Sequence, residues 1–252
     1  MTTKIPTGRF VWFEYMSKDL KKAQGFFGEL FNWSTQDVPM PQGSYTMIAS
    51  GGTTIGGYMP HMEGAPDKAM WVTHLQVADA AASAKQVKSL GGAVHKDAFK
   101  VGDHGTMAIV ADPLGGPFAL WQPAKPEGTG DYKQTPGSFC WNELYTQDVE
   151  KTVSFYKAIG GFTDERTEMP GMGTYVQLKS DDKPRGGIMK APMPGVPQAW
   201  TPYVAVANTD QTLAKALKLG ATQLVPATDI PGVGRFAIFA DPQGSPLGIL
   251  QG

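Results

Sequence analysis

The sequence predicts an α+β fold: four β-α-β-β-β modules in two tandem domains. The first observation behind this is a pair of stretches, DPLGGPFALWQ from Asp112 and DPQGSPLGILQ from Asp241, which share one design and lie 129 residues apart. The second is that the same offset carries Phe10, Trp12, Glu14, Asp19 and Phe26 onto Phe139, Trp141, Glu143, Asp148 and Phe155, and Trp71 onto Trp200. A register kept this long marks duplication, and so long a period makes the repeat a domain rather than a solenoid turn. The third is that helical runs are too few to cross over between the strands of an all-parallel sheet.

Each shared stretch starts Asp-Pro, passes a Gly-rich turn and ends in an apolar run. Pro fixes φ and the glycines accept φ > 0, so the chain reverses there. Apolar runs precede both turns, Met107 to Ala111 and Phe236 to Ala240, so each unit reads as a hairpin.

Taken in order, Arg9 to Met16 is rich in β-branched and aromatic residues and reads as a strand. Asp19 caps a helix with Leu20, Ala23, Phe26, Phe27, Leu30 and Phe31 at apolar positions, although Gly25 and Gly28 weaken it. Three strands follow, at Trp33 to Val38, Ser44 to Ala49 and Thr53 to Met59. After a polar connection the pattern restarts. Met70 to Val77 is a strand, Asp79 to Leu90 a helix stopped by Gly91-Gly92, and three strands close the unit. The second half repeats this order, with helices at Asp148 to Ile159 and Thr209 to Leu219. The expected domains are residues 1–124 and 137–252, joined by a Pro/Gly/Lys-rich linker at 125–136.

Bulk properties narrow the function. A length of 252 residues suits two domains, each able to bury a core. A formal net charge of −1 gives no reason to expect nucleic acid or an anionic membrane as partner. No apolar run approaches the ~18 residues of a membrane span. The start, MTTKIPTGRF, lacks a signal-peptide core, and the lone Cys140 allows no internal disulfide, so a cytoplasmic location is expected. No P-loop, dinucleotide glycine box, Ser-His-Asp order or zinc Cys pattern is present, and no cofactor is predicted. A small-molecule ligand is the expected partner, to a monomer or homodimer.

Paired modules with F-x-W-x-E starts, Asp-capped helices and closing D-P-x-G hairpins resemble the vicinal oxygen chelate superfamily. That group includes glyoxalase I, bleomycin- and fosfomycin-resistance proteins and extradiol dioxygenases. The resemblance spans nearly the whole chain and implies that each module pair curls into a cup. It also implies metal ligands on the first strand of each module and a Glu on the last strand, in the pattern D-P-x-G-x-x-x-E. Here those slots fall on Trp12, Val72, Trp141 and Thr201, and on Ala119 and Gly248. None is a good ligand, so the usual metal box is absent from both cups and no metal site is expected.

Strand alternation then nominates other residues. With Trp12 and Trp141 in inward slots, Glu14 and Glu143 face inward too, as do His74 and Tyr203. Glu14 and His74 are the candidate catalytic pair, because a buried carboxylate beside an imidazole suits acid–base work. Trp12, Trp121, Trp141, Glu143, Tyr203 and His104 are the candidate ligand-binding residues, with Tyr45 and Tyr175 as further apolar lining. The first reading of both glutamates is structural, accepting hydrogen bonds from backbone or ring donors that order the core. Two functions follow. One is a metal-independent binder of a small molecule in an aromatic cup, in the manner of bleomycin-resistance relatives. The other is a glyoxalase-like lyase or isomerase acting on a small carbonyl compound, such as methylglyoxal or its thiol adduct.

Overall fold

The computed structural model describes residues 5–40, 43–61, 68–125, 132–169, 171 and 173–252. The first module comprises β1 (Arg9–Ser17), α1 (Leu20–Phe31), β2 (Ser34–Met40), β3 (Gly43–Ser50) and β4 (Thr53–Pro60). The second comprises β5 (Met70–Gln76), α2 (Ala80–Ser89), β6 (Ala93–Val101), β7 (Gly105–Ala111) and β8 (Pro117–Pro123). The third runs through β9 (Phe139–Thr146), α3 (Val149–Gly160), β10 (Thr163–Met169), β11 (Gly173–Ser180) and β12 (Lys183–Lys190). The fourth is β13 (Ala199–Ala205), α4 (Thr209–Lys218), β14 (Thr222–Ile230), β15 (Gly234–Ala240) and β16 (Pro246–Gln251). Four β-α-β-β-β modules are thus present, and the fold is α+β as the sequence predicts. Residues 126–131 of the expected linker lie outside the described residues.

The strands form two curled eight-stranded sheets, ordered β2-β3-β4-β1-β5-β8-β7-β6 and β10-β11-β12-β9-β13-β16-β15-β14. Both sheets are mixed. Hairpin neighbours run antiparallel, while the first and last strands of each module pair in parallel. The helix and two intervening strands supply the long connection that a parallel pair needs.

Helix starts follow their caps. Asp19, Asp79, Asp148 and Asn208 each accept a backbone N–H three residues on, at 2.9 to 3.1 Å. The Gln that ends each shared stretch serves the same purpose from outside the helix. Gln122 Oε1 accepts the amide of Ala80 at 3.1 Å, and Gln251 Oε1 that of Thr209 at 3.2 Å. α1 runs through Gly25 and Gly28 unbroken, because Ala23, Phe26, Phe27 and Leu30 bury its apolar stripe.

Packing groups the chain into two compact units that do not follow the sequence halves. Among the described residues, one unit lies within 1–11, 73–131 and 142–200, and the other within 12–72, 132–141 and 201–252. In the second unit, aromatic rings dominate the core: Tyr15 meets Phe27, Tyr58 and Trp71 edge-on at 5.0 to 5.9 Å. Phe13 stacks on Phe139 at 4.1 Å. In the first unit, Tyr156 meets Trp200 at 5.1 Å and Phe118 at 5.3 Å. Such pairs add about 0.5–1.5 kcal/mol each beyond area burial.

Candidate functional site

The site candidates begin on β1. Trp12 and Glu14 are two residues apart and share a face. Glu14 is buried at 5 % exposure, and its partner comes from two strands away. Tyr45 on β3 hydrogen-bonds to Glu14 with its phenol, and Trp12 Nε1 donates to the same phenol oxygen at 2.9 Å. Burial pushes the Tyr45 phenol pKa well above its ordinary value, and the Glu14 charge and hydrogen bond push it further. Tyr45 therefore stays a hydroxyl, able to donate to the carboxylate at any physiological pH.

The intervening strand lets the ring cross. Gly57 on β4 pairs with Glu14 in parallel register and with Met47 of β3, two residues beyond Tyr45. A Cβ on Gly57 would stand 1.9 Å from the Tyr45 hydroxyl oxygen, so only glycine fits beneath the ring. The third module repeats this. Gly187 pairs with Glu143 and with Gln177, two residues beyond Tyr175, and a Cβ there would stand 1.9 Å from the Tyr175 hydroxyl oxygen. Glu143 is buried and accepts a hydrogen bond from the Tyr145 hydroxyl at 3.0 Å.

His74 and Tyr203 lie on the first strands of the second and fourth modules, both buried. His74 pairs with Ala119 and Tyr203 with Gly248, the two positions where the resemblance places a metal-binding Glu. The Tyr203 ring fills the second of these: a Cβ on Gly248 would sit 2.4 Å from it. A carboxylate side chain at 248 would have to displace that ring. The remaining ligand slots hold the half-buried Trp12 and Trp141 and the buried Val72 and Thr201. Among the described residues, no three His, Cys, Asp or Glu side chains gather so as to hold a metal ion. The residues at the superfamily's metal position do not fit one.

The other nominated residues are more scattered. Trp121 is half-buried, with its ring over Gly105, where a Cβ would lie 2.8 Å away. His104 is exposed in the turn between β6 and β7. Cys140 is buried, with its thiol pushed up to about 12 by burial, and so is not a nucleophile. Trp12 and Glu14 are brought together through a residue that alternation along one strand does not reveal. Tyr45 and Tyr175 are legible only as apolar lining. The signal that could have found their partners is a one-residue slip in the repeat. Tyr45 to Tyr175 and Gly57 to Gly187 are each offset by 130 instead of 129, so tyrosine and glycine moved together against the glutamate.

Among known proteins, the chain is 36% identical over 244 residues to "Putative glyoxylase CFP32" of Mycobacterium tuberculosis, covering 95% of this chain and 93% of that one. It is 30% identical over 264 residues to "Anthracycline biosynthesis protein DnrV" of Streptomyces peucetius, covering 99% and 95%. Among solved structures, 2,2',3-trihydroxybiphenyl 1,2-dioxygenase from Sphingomonas wittichii superposes with a TM-score of 0.68 at 14% identity, covering 98% of this chain and 91% of that one. At that identity the likeness is one of fold. No protein-family model matches the chain. Among the described residues, no helix is long and apolar enough to cross a membrane.

Proposed function

The chain belongs to the vicinal oxygen chelate superfamily of glyoxalases and extradiol dioxygenases, and on that premise we propose that it binds a small molecule against aromatic walls without the superfamily's usual metal. The observation that carries this reading is the set of residues at the ligand slots. Trp12, Trp141, Val72, Thr201 and Ala119 offer no strong donor, and at Gly248 the Tyr203 ring takes the space of a carboxylate. Glu14 and Glu143 are the anchoring carboxylates in this reading, and His74 is a further polar candidate. Trp12, Trp121, Trp141 and Tyr203 supply apolar surface, and His104 is a contact at the rim. The domains we propose, 1–124 and 137–252, carry one such carboxylate each. The relative named for anthracycline biosynthesis makes a planar, hydroxylated aromatic the first ligand class to try.

Two measurements on the purified full chain test this. Elemental analysis is expected to return no stoichiometric zinc, nickel or iron, and about one tightly held metal per domain would overturn the metal-free reading. Thermal shift with a dihydroxyanthraquinone is expected to raise the melting temperature, since a ligand at a hundred times its Kd stabilises the folded state by about 2.7 kcal/mol. Glu14→Gln should weaken that binding more than Glu143→Gln. Equal losses from the two variants would mean that Glu14 is no more special than Glu143.

A further inference from the structure

We infer that strand β2 is an interface between two copies of this chain, which pair it with itself in antiparallel register about Gln36 and so join their first sheets edge to edge. β2 is the terminal strand of its sheet, and all of its residues but Val38 are exposed. Its ladder to β3 runs unbroken from Ser34 to Met40. Pro39 lies opposite Ser44 in that ladder, and a proline has no N–H to exchange, so theirs is a non-hydrogen-bonded pair. Alternation makes the pairs of Thr35 and Asp37 with β3 non-hydrogen-bonded as well, which turns the N–H and C=O groups of both residues outward. A proline whose nitrogen faces away from the sheet is what an edge strand tolerates.

Those outward groups fit a second copy in one register. With Gln36 opposite Gln36, Thr35 of each copy lies opposite Asp37 of the other, and each of these pairs exchanges both backbone hydrogen bonds. Pro39 falls past the end of the ladder. The side chains agree with this register. A Gln amide is both donor and acceptor and so complements itself. Each Asp37, held by Thr46 Oγ1 at 2.6 Å, faces a Thr35 hydroxyl and not another carboxylate. The other three sheet edges among the described residues are defended. β6 and β14 each carry two register shifts against the neighbouring strand, and such bulges twist an edge away. β10 is the counterpart of β2 in the repeat and is as regular, but Glu165 stands where Gln36 does. The same pairing there would set Glu165 against Glu165, and like charges directly opposed repel. Its Asp164 and Arg166 are already paired within the chain, with Lys157 and Glu150. β2 is thus the edge that is both regular and uncharged at its centre.

The experiment weighs the full chain by sedimentation equilibrium over a concentration series, beside Gln36→Glu and Thr35→Pro. The native chain should move from 27.0 kDa toward twice that mass as concentration rises. Gln36→Glu copies the residue of the second half onto an exposed position. It should weaken association about fivefold at low salt, the scale of one unfavourable cross-strand pair, and about 1 M salt should restore most of it. Thr35→Pro removes one N–H from each of the two bonded pairs and should abolish association. The ladder to β3 does not use that N–H, so its circular dichroism should match that of the native chain. A native chain that stays at 27.0 kDa into the millimolar range would overturn the interface. Association that both variants leave unchanged would overturn it too, since the contact would then lie elsewhere on the chain. Should Thr35→Pro not fold, Gln36→Glu and its salt response decide.

Discussion

The two hairpin aspartates occupy equivalent places in the repeat and are satisfied by residues that are not equivalent. Asp112 Oδ1 accepts the amides of Leu114 and Gly116, both at 2.9 Å, and Asp241 Oδ1 accepts those of Gln243 and Ser245 at 2.8 and 3.0 Å. In each compact unit a buried tyrosine donates to the other oxygen. For Asp241 that tyrosine is Tyr15, from strand β1; for Asp112 it is Tyr156, from helix α3, at 3.2 Å. The counterpart of Tyr15 in the repeat is Leu144, and the counterpart of Tyr156 is Phe27. Each phenol ring packs edge-on against a tryptophan of its own unit, Trp71 or Trp200. Duplication therefore kept the requirement, a donor for a buried carboxylate oxygen, and let either neighbouring element meet it.

The largest expected effect comes from breaking one of these locks. Tyr15→Leu copies the residue of the second half into the first without its compensation. It removes a fully buried ring and a donor to Asp241, and should cost about 3–4 kcal/mol in urea denaturation. Adding Phe27→Tyr rebuilds the other half's solution, and the two rings already lie 5.3 Å apart. The double variant should recover about half of that loss. If Phe27→Tyr gave no recovery in the Tyr15→Leu background, the two arrangements would not be interchangeable.

A smaller contrast separates the locks themselves. Tyr15→Phe should cost about 2 kcal/mol and Tyr156→Phe about 1 kcal/mol, because Gln198 Nε2 also donates to the Asp112 oxygen, at 2.8 Å. Equal losses would mean that Gln198 adds nothing. The charge of Asp241 gives a third test, in pH. Burial raises its carboxyl pKa, while Tyr15 and the backbone amides of Ser245, Gln243 and Gly244 pull it back. Burial, and then the Asp241 charge, raise the Tyr58 phenol pKa in turn. With the folded pKa above the unfolded one, the folded state holds the proton more tightly. The contribution is then fully present below about pH 3.9 and is lost as pH rises through the raised value. Asp241→Asn removes this dependence, so native stability relative to the variant should decline across that window. A difference that stays flat or grows with pH would contradict it.

The sequence made the modules legible because hairpins, caps and apolar runs are local. Asp19, Asp79, Asp148 and Asn208 cap as their positions require, and the two D-P-x-G hairpins close where the prolines and glycines place them. The partners of the buried carboxylates were not legible. Tyr45 reaches Glu14 across a whole strand, and Tyr15 and Asp241 are 226 residues apart. No periodicity along one element carries such information. The parallel pairing of β1 with β4 escaped for the same reason, since it is set by the sheet and not by either strand.

The smallest effect lies in a turn that the two halves build with different residues. Gly51 and Gly52 join β3 to β4 with φ of 53° and 78°, and Asp181 and Asp182 join β11 to β12 with φ of 52° and 58°. Both turns place two successive residues in the left-handed region, as a two-residue hairpin loop of the primed type demands. Glycine takes that conformation without a steric penalty, whereas an L-residue pays roughly 1–2 kcal/mol, less for aspartate, whose side chain can bond locally. Against this, glycine loses more backbone entropy on folding, by roughly 0.5–1 kcal/mol. Asp182→Gly should therefore stabilise the chain by about 0.5 kcal/mol. Asp181→Gly should be close to neutral, because it also gives up the ion pair with Arg9 at 3.0 Å and a longer one with Arg185 at 4.0 Å, contacts made by an exposed carboxylate and worth about 0–1 kcal/mol. High salt separates the two terms. Screening weakens the arginine contribution, so Asp181→Gly should turn stabilising in 1 M salt, where the Debye length is about 3 Å, while Asp182→Gly stays as it was. If both variants responded to salt alike, the difference between the turns would be electrostatic throughout, and the backbone argument would fall.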